Sequence, residues 1–269
     1  MNEGLTCSDP IPISIGLGSL SVPGTTIGGL NLHVTEPTSG STCWNTDGPE
    51  RVYAVTVQAT GTLTAWLPTA TTTFQSALFR ASTCEAAGQS SCLDNWGAPD
   101  ERGGELVSFA VTGGETYYFI VDGVAGDQGD YVLELDLSTG TDCSDPIPIT
   151  IEGQGPIYLS SPILDFADHT SCESGENGGP EVVYEVTVTE TDAYTFFMSS
   201  GYGGLGKIAY VRSTCDVATT ELACEHPEIF DVPLIAGQTV YVFFDRELAS
   251  SEAEGFTDPY VSGTIIHYY

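Results

Sequence analysis

The chain is poor in positive charge. Of its 269 residues only 6 are lysine or arginine, against 37 aspartates and glutamates, which leaves a formal net charge of −31, and Lys207 is the single lysine. A surface this negative repels phosphate backbones and anionic headgroups, so binding to nucleic acid and to membrane surfaces is disfavoured. No apolar run approaches the ~18 residues a transmembrane helix needs, and no membrane insertion is expected. There is no CxxC pair or histidine-rich tract to suggest zinc, and no GxSxG, HExxH or P-loop to suggest a hydrolase or nucleotide enzyme. The histidines His33, His169, His226 and His267 show no ligand spacing and read as surface residues. "FADHTS" sets Asp168, His169 and Ser171 side by side, but a catalytic relay needs groups converging from separate elements. Where carboxylates are this abundant, acidic pairs arise by chance and nominate no glycosidase site. The chain is therefore expected not to be an enzyme.

What the chain does have is repetition. "CSDPIPISI" from Cys7 returns as "CSDPIPITI" from Cys143, 136 positions on. "GPERVYAVTV" (Gly48 to Val57) answers "GPEVVYEVTV" (Gly179 to Val188), and "LFRASTC" ending at Cys84 answers "AYVRSTC" ending at Cys215, both 131 apart. Cys92 answers Cys224, and "YYFIVD" (Tyr117 to Asp122) answers "VYVFFD" (Val240 to Asp245) at 123. Five blocks in one order mean internal duplication, with the drift in spacing absorbed by loops.

Each block reads as a strand. Val52, Ala54 and Thr56 alternate with Tyr53, Val55 and Val57, and further β-rich runs follow at short intervals between Gly, Asp, Asn and Pro. At 41% hydrophobic and 10% aromatic residues the chain can bury real cores, and 31 Gly with 15 Pro supply turns. The expected fold is all-β: two tandem antiparallel β-sandwich, jelly-roll-like domains, 1–138 and 139–269, of about eight strands each, with little helix. The short "STGT" between them predicts a fairly fixed tandem.

Eight cysteines, four to each half, point to disulfides and an oxidising compartment. Four cysteines allow three pairings. The favoured one joins Cys7 to Cys43, Cys84 to Cys92, Cys143 to Cys172 and Cys215 to Cys224, each worth roughly 2.6 to 3.8 kcal/mol by loop entropy. Pro10 and Pro12 stiffen an edge segment that Cys7 pins. Disulfides imply export, yet no charged segment followed by an apolar one opens the chain, so a leader or further domains are expected upstream in the natural protein.

The order of these blocks, most specifically "YYFIVDGVAGDQGDYVLEL" (Tyr117 to Leu135), resembles β-sandwich modules of the bacterial pre-peptidase C-terminal type, in particular the cysteine-bearing tandem versions in secreted proteins of myxobacteria and related lineages. The second copy departs from this pattern after Asp245, where the glycine spacing is lost. The resemblance implies an extracellular, non-catalytic sandwich appended to hydrolases or surface proteins, sometimes with calcium or with affinity for extracellular polymers.

Two acidic loops are the candidate metal sites. Calcium takes six to eight oxygens in flexible geometry, and in "DGVAGDQGD" the residues Asp122, Asp127 and Asp130 can supply carboxylates around three glycines. The same residues are what a tight strand connection uses. "NTDGPE" (Asn45 to Glu50) offers Asp47 and Glu50, matched by Glu176 and Glu181 in the second copy. Trp44 and Trp96 stand in polar loops where a tryptophan can stack on a sugar or anchor a partner, Trp96 being the better candidate because Trp44 adjoins a cysteine, and Trp66 reads as core. The chain thus reads as an extracellular or cell-surface binding and adhesion module, calcium-stabilised or not, whose partner is an extracellular polymer, a protein or itself. Two other readings are a fibre or sheath subunit, pairing through edge strands or the uncharged tail "TIIHYY" (Thr264 to Tyr269), and an accessory domain of a secreted protease or other hydrolase.

Overall fold

A computed structural model of the chain describes residues 3–32, 46–81, 102–153, 155–164, 181–199, 207–225, 228–246 and 260–267. Over these the protein is all-β, with one short 3-10 turn at Ala218–Thr220. The chain divides into two compact units. The first comprises Met1–Ala59, Thr64–Val107 and Thr112–Leu137, and the second Ser138–Tyr269 with Thr60–Leu63 and Ser108–Val111.

Eight strands precede residue 139: β1 (Ile11–Ile15), β2 (Gly18–Thr25), β3 (Arg51–Val57), β4 (Gly61–Trp66), β5 (Ser76–Ala81), β6 (Leu106–Val111), β7 (Thr116–Gly123) and β8 (Asp130–Ser138). They form two sheets in the orders β1-β3-β7-β5 and β2-β8-β4-β6. Nine follow: β9 (Ile147–Ile151), β10 (Gly155–Pro162), β11 (Glu181–Val188), β12 (Asp192–Ser199), β13 (Lys207–Arg212), β14 (Glu221–Glu225), β15 (Glu228–Leu234), β16 (Thr239–Arg246) and β17 (Tyr260–His267). Their orders are β14-β13-β16-β11-β9 and β10-β17-β12-β15. Strand for strand this is the first arrangement again, and the counterpart of β14, around Cys92, lies outside the described residues. The register repeats as well, since Ile11 pairs with Tyr53 and Tyr53 with Phe119, while Ile147 pairs with Tyr184 and Tyr184 with Val242.

One pair in each set departs from the expected antiparallel arrangement: β1 runs parallel to β3, and β9 to β11. Only Gly16 and Leu17 separate β1 from β2, yet the two strands lie in different sheets. The chain therefore crosses at once to the other sheet and returns to β3 through the long connection after Thr25, the length a parallel pair needs. Pro12 sits in β1 at the sheet edge, where a missing N–H is tolerated.

The repeated opening phrase also proves to be longer than its cysteine. Gly4 and Gly140, at φ +77° and +66°, each begin a turn whose N–H reaches the carbonyl of Asp9 or Asp145, and their own carbonyls accept from Val52 and Val183. A β-carbon at either glycine would meet Ile11 or Ile147 within 2.7 Å, so the turn seats β1 and β9 on their neighbours. Gly140 therefore belongs to the repeat, and "STGT" is not merely a spacer.

Inward-facing residues alternate as the pattern predicts: Tyr53, Val55 and Val57 are fully buried. Trp66, expected in the core, ends β4 and is half buried. The buried phenols find partners by different routes. Tyr53 Oη lies 2.6 Å from Tyr131 Oη, over Gly24, where a side chain would collide with both rings. At the corresponding register Ser161 replaces Gly24, Val261 replaces Tyr131, and Ser161 Oγ lies 2.5 Å from Tyr184 Oη. One exchange supplies the hydroxyl the other removes, which keeps a buried polar group satisfied.

The tail proposed as an edge is an interior strand. Through His267, β17 is hydrogen-bonded to β10 on one side and β12 on the other. His267, expected at the surface, is buried and stacked on Tyr194 at 4.6 Å, with Nδ1 2.9 Å from the Gly153 carbonyl and Nε2 3.3 Å from Asp192 Oδ2. The other three histidines lie outside the described residues. The backbone N–H of Ala193, and then His267, hold the exposed Asp192 carboxyl below its ordinary value. A carboxyl lowered in the folded state adds stability above its unfolded pKa and loses it as pH falls through the folded one. Asp192→Asn should therefore give a small decrease in Tm at pH 7 that closes as the pH is lowered through the carboxylate range, read by thermal melts across pH.

Candidate functional site

The two acidic loops singled out in the sequence of the first unit meet. Thr46 bridges to Val124, and Gly48 N–H donates to the Gly123 carbonyl at 3.0 Å. Extending the β3–β7 register by one residue sets Glu50 beside Asp122. Both are fully buried. They belong to the side of the sheet turned away from the core, where Val52, Ala77, Phe79 and Ile120 cluster with Cys7 packed against them. Glu50 Oε1 accepts from Leu32 N–H at 3.3 Å, and Asp122 Oδ1 accepts from Gly123 N–H at 2.6 Å.

The second unit repeats this pair and elaborates it. Glu181 and Asp245 are direct cross-strand partners of β11 and β16, and both are buried. Tyr210 Oη donates to Glu181 Oε2 at 2.6 Å. Its ring stacks on Phe243 at 4.4 Å and 7°. The buried Arg212 guanidinium lies 4.8 Å from the Tyr210 centroid and 5.0 Å from that of Phe243, and Nη1 donates to the Cys215 carbonyl. Burial, and then the negative charge of Glu181 that accepts its hydrogen bond, hold the Tyr210 phenol well above its ordinary pKa. A cation, two carboxylates and two rings thus lie buried on one side of this sheet.

A disulfide closes the patch. Cys143 bonds to Cys215, with Cα atoms 5.7 Å apart and a sequence separation of 72. This overturns the expected pairs Cys143–Cys172 and Cys215–Cys224. The short loops favoured there are cheap to close, but β13 places Cys215 beside the turn that follows Gly140, and geometry rather than loop length decides a bond. Cys7 and Cys224 are also disulfide-bonded. Cys43, Cys84, Cys92 and Cys172, and with them the pairs Cys7–Cys43 and Cys84–Cys92, lie outside the described residues.

The other candidates separate. Asp127 is exposed, its carboxylate accepting from Gln75 N–H at 2.9 Å and Gln128 N–H at 3.0 Å, as a turn aspartate does. Asp130 is exposed at the start of β8, and its backbone is locked to Thr73 Oγ1. Asp47 uses its carbonyl to accept from Asn31 at 2.7 Å. Among the described residues no three His, Cys, Asp or Glu side chains are grouped as a metal ion would need. Trp44, Trp96, Glu176 and the Asp168–His169–Ser171 run lie outside the described residues. Sequence reasoning missed Glu105, buried in the first unit and holding Ser76 Oγ at 2.9 and 3.1 Å, and it missed Tyr210, Arg212 and Asp245. The strand pattern could have found Asp245, because it ends "VFFD" as Asp122 ends "FIVD".

No family model matches the chain, and no curated protein does. Solved structures that align with it include the CUB1-EGF-CUB2 domains of rat MASP-1, at 7% identity over 95% of this chain and 100% of that one, with a TM-score of 0.21. Tripeptidyl peptidase 2 aligns at 11% identity over 95% of this chain and 24% of that one, TM-score 0.23. A Paenibacillus xanthan lyase aligns at 12% over 97% and 27%, TM-score 0.22. Likeness at this level establishes no shared architecture.

Non-reducing peptide mapping is expected to return a Cys143–Cys215 crosslink. The repeat, in which Cys7 answers Cys143 and Cys84 answers Cys215, predicts Cys7–Cys84 beside it. Replacing Cys143 and Cys215 by Ala should cost about 4 kcal/mol by loop entropy, read by urea denaturation. Because the three loop aspartates are engaged separately, EDTA should leave the melting temperature unchanged.

Proposed function

We propose that the protein is a non-catalytic extracellular binding and adhesion module, a tandem of two disulfide-stapled β-sandwiches of the pre-peptidase C-terminal type. The observation that carries this reading is the use the second unit makes of its reactive side chains. Glu181 is held by Tyr210, Arg212 lies against the rings of Tyr210 and Phe243 and a backbone carbonyl, and Cys143 is joined to Cys215. Groups spent on one another beneath the surface hold a fold together, and what is left to work with is the outer surface. Disulfides in a chain this acidic suit an oxidising, extracellular setting.

The fibre reading is weaker in this geometry, because β17 is paired on both sides and the exposed edge strands β2 and β10 carry Pro23, Pro156 and Pro162, which blunt edge-to-edge addition. An accessory role beside a secreted hydrolase uses the same surface. No helix among the described residues is long and apolar enough to cross a membrane.

A retention screen against extracellular polysaccharides and matrix proteins, with reduced protein as a control, tests the proposal. Retention by at least one polymer, lost on reduction, is expected; indifference to every polymer together with turnover of a glycan or peptide substrate would reverse it.

A further inference from the structure

The sheet β10-β17-β12-β15 has one side in the core, formed by Ile157, Leu159, Val261, Ile265, Tyr194 and Phe196. On the other side, β10, β17 and β12 carry no Asp, Glu, Lys or Arg. In a chain with 37 acidic residues a charge-free stretch across three strands stands out, and charge returns only on β15, where Glu228 pairs with Phe197. What stands there is aromatic and hydroxylic. Tyr158 and Tyr260 are 50% and 42% exposed. Tyr158, the buried Thr264, Phe197 and Glu228 of β15 form one cross-strand row, and Ser160 pairs with Ser262 between the two tyrosines. Tyr260 pairs with Pro162, four residues along β10 from Tyr158, so the tyrosines are separated by roughly 13 Å along the strands, and Phe197 lies about 10 Å across from Tyr158.

Three constraints select the occupant. Another copy of this chain, or a polyanion, meets a net charge of −31, and a cationic partner gains most from the carboxylates elsewhere on the surface. An added protein strand is opposed at the edge of β10 by Pro156 and Pro162. A row of aromatic rings interrupted by hydroxyls matches a ligand that alternates C–H faces with a rim of hydroxyls, because rings cover the apolar faces and Ser and Thr exchange hydrogen bonds with the rim. We infer that this side of the sheet is a platform for an uncharged polysaccharide, held over Tyr158, Ser160, Ser262 and Tyr260. The inference rests on the binding-module reading and assigns that module a site and a ligand class.

The test is retention of the full chain on cellulose, chitin and a β-1,3-glucan, with alginate and gelatin alongside, for the wild type, Tyr158→Ala, Tyr260→Ala and Tyr158→Phe. Thermal melts should be alike, since both side chains are exposed. Expected is retention on at least one of the neutral polymers, weakened about tenfold by either alanine and little by phenylalanine, because the ring carries the contact. Neutral-polymer retention that the alanines leave unchanged overturns the site and leaves the module reading standing. Retention on alginate or gelatin that the alanines abolish overturns the ligand class, as does a dimer in sedimentation that Tyr158→Ala dissolves. Failure on all five polymers overturns this inference, and with failure across the matrix-protein screen it overturns the module reading too.

Discussion

Parallel seating of the first strand of each unit on the third is the constraint around which the rest is arranged. β1 and β9 cannot pair with their immediate successors, because the chain leaves for the opposite sheet within a few residues. They are held instead by a glycine turn that hydrogen-bonds to the neighbouring strand and, in the second unit, by a disulfide from the same turn to the segment that follows β13. A parallel edge pair is weaker per residue than an antiparallel one. Proline in β1 removes a further donor, so covalent and turn restraints at this point supply what the ladder lacks.

That seating brings a cysteine-bearing loop over the outer side of the sheet, and burial there explains the carboxylate pairs. Glu50 with Asp122, and Glu181 with Asp245, occupy adjacent strands under cover, where an ionised group must be met by donors. The first unit uses backbone N–H groups of Leu32 and Gly123. The second adds the Tyr210 hydroxyl at the position where the first has Phe79. The same register solves one electrostatic problem twice with different side chains, as it does for the buried phenols of Tyr53 and Tyr184.

Strand identity was legible in the sequence, because period-2 alternation in blocks such as "RVYAVTV" follows from burying one side of a sheet, and the repeat made each half corroborate the other. The candidate site was legible only in part. Asp122 and Glu50 were nominated from separate loops for a cation, and Asp127 and Asp130 with Asp122 as one cluster. In space Asp122 and Glu50 are neighbours, whereas Asp127 is an exposed turn residue and Asp130 opens β8, also exposed. Spacing along a loop does not report side-chain direction, and a pair joined by cross-strand register is invisible in either strand alone. The cysteines failed for the same reason: loop entropy favours near neighbours, while the bond forms between whichever cysteines the strands bring within reach.

Composition and repetition by themselves determined that this is a β protein, that its architecture is doubled, and that its acidity turns away polyanions, since each of these depends on local pattern or summed charge. Only the tertiary structure decided that the first strand of each unit runs parallel to its neighbour, that Cys143 meets Cys215, that the C-terminal segment is interior rather than an edge, and that Tyr158 and Tyr260 stand on one side of a sheet around a pair of serines. Those outcomes depend on which strands become neighbours, and sheet neighbours are chosen by contacts between residues far apart in the chain.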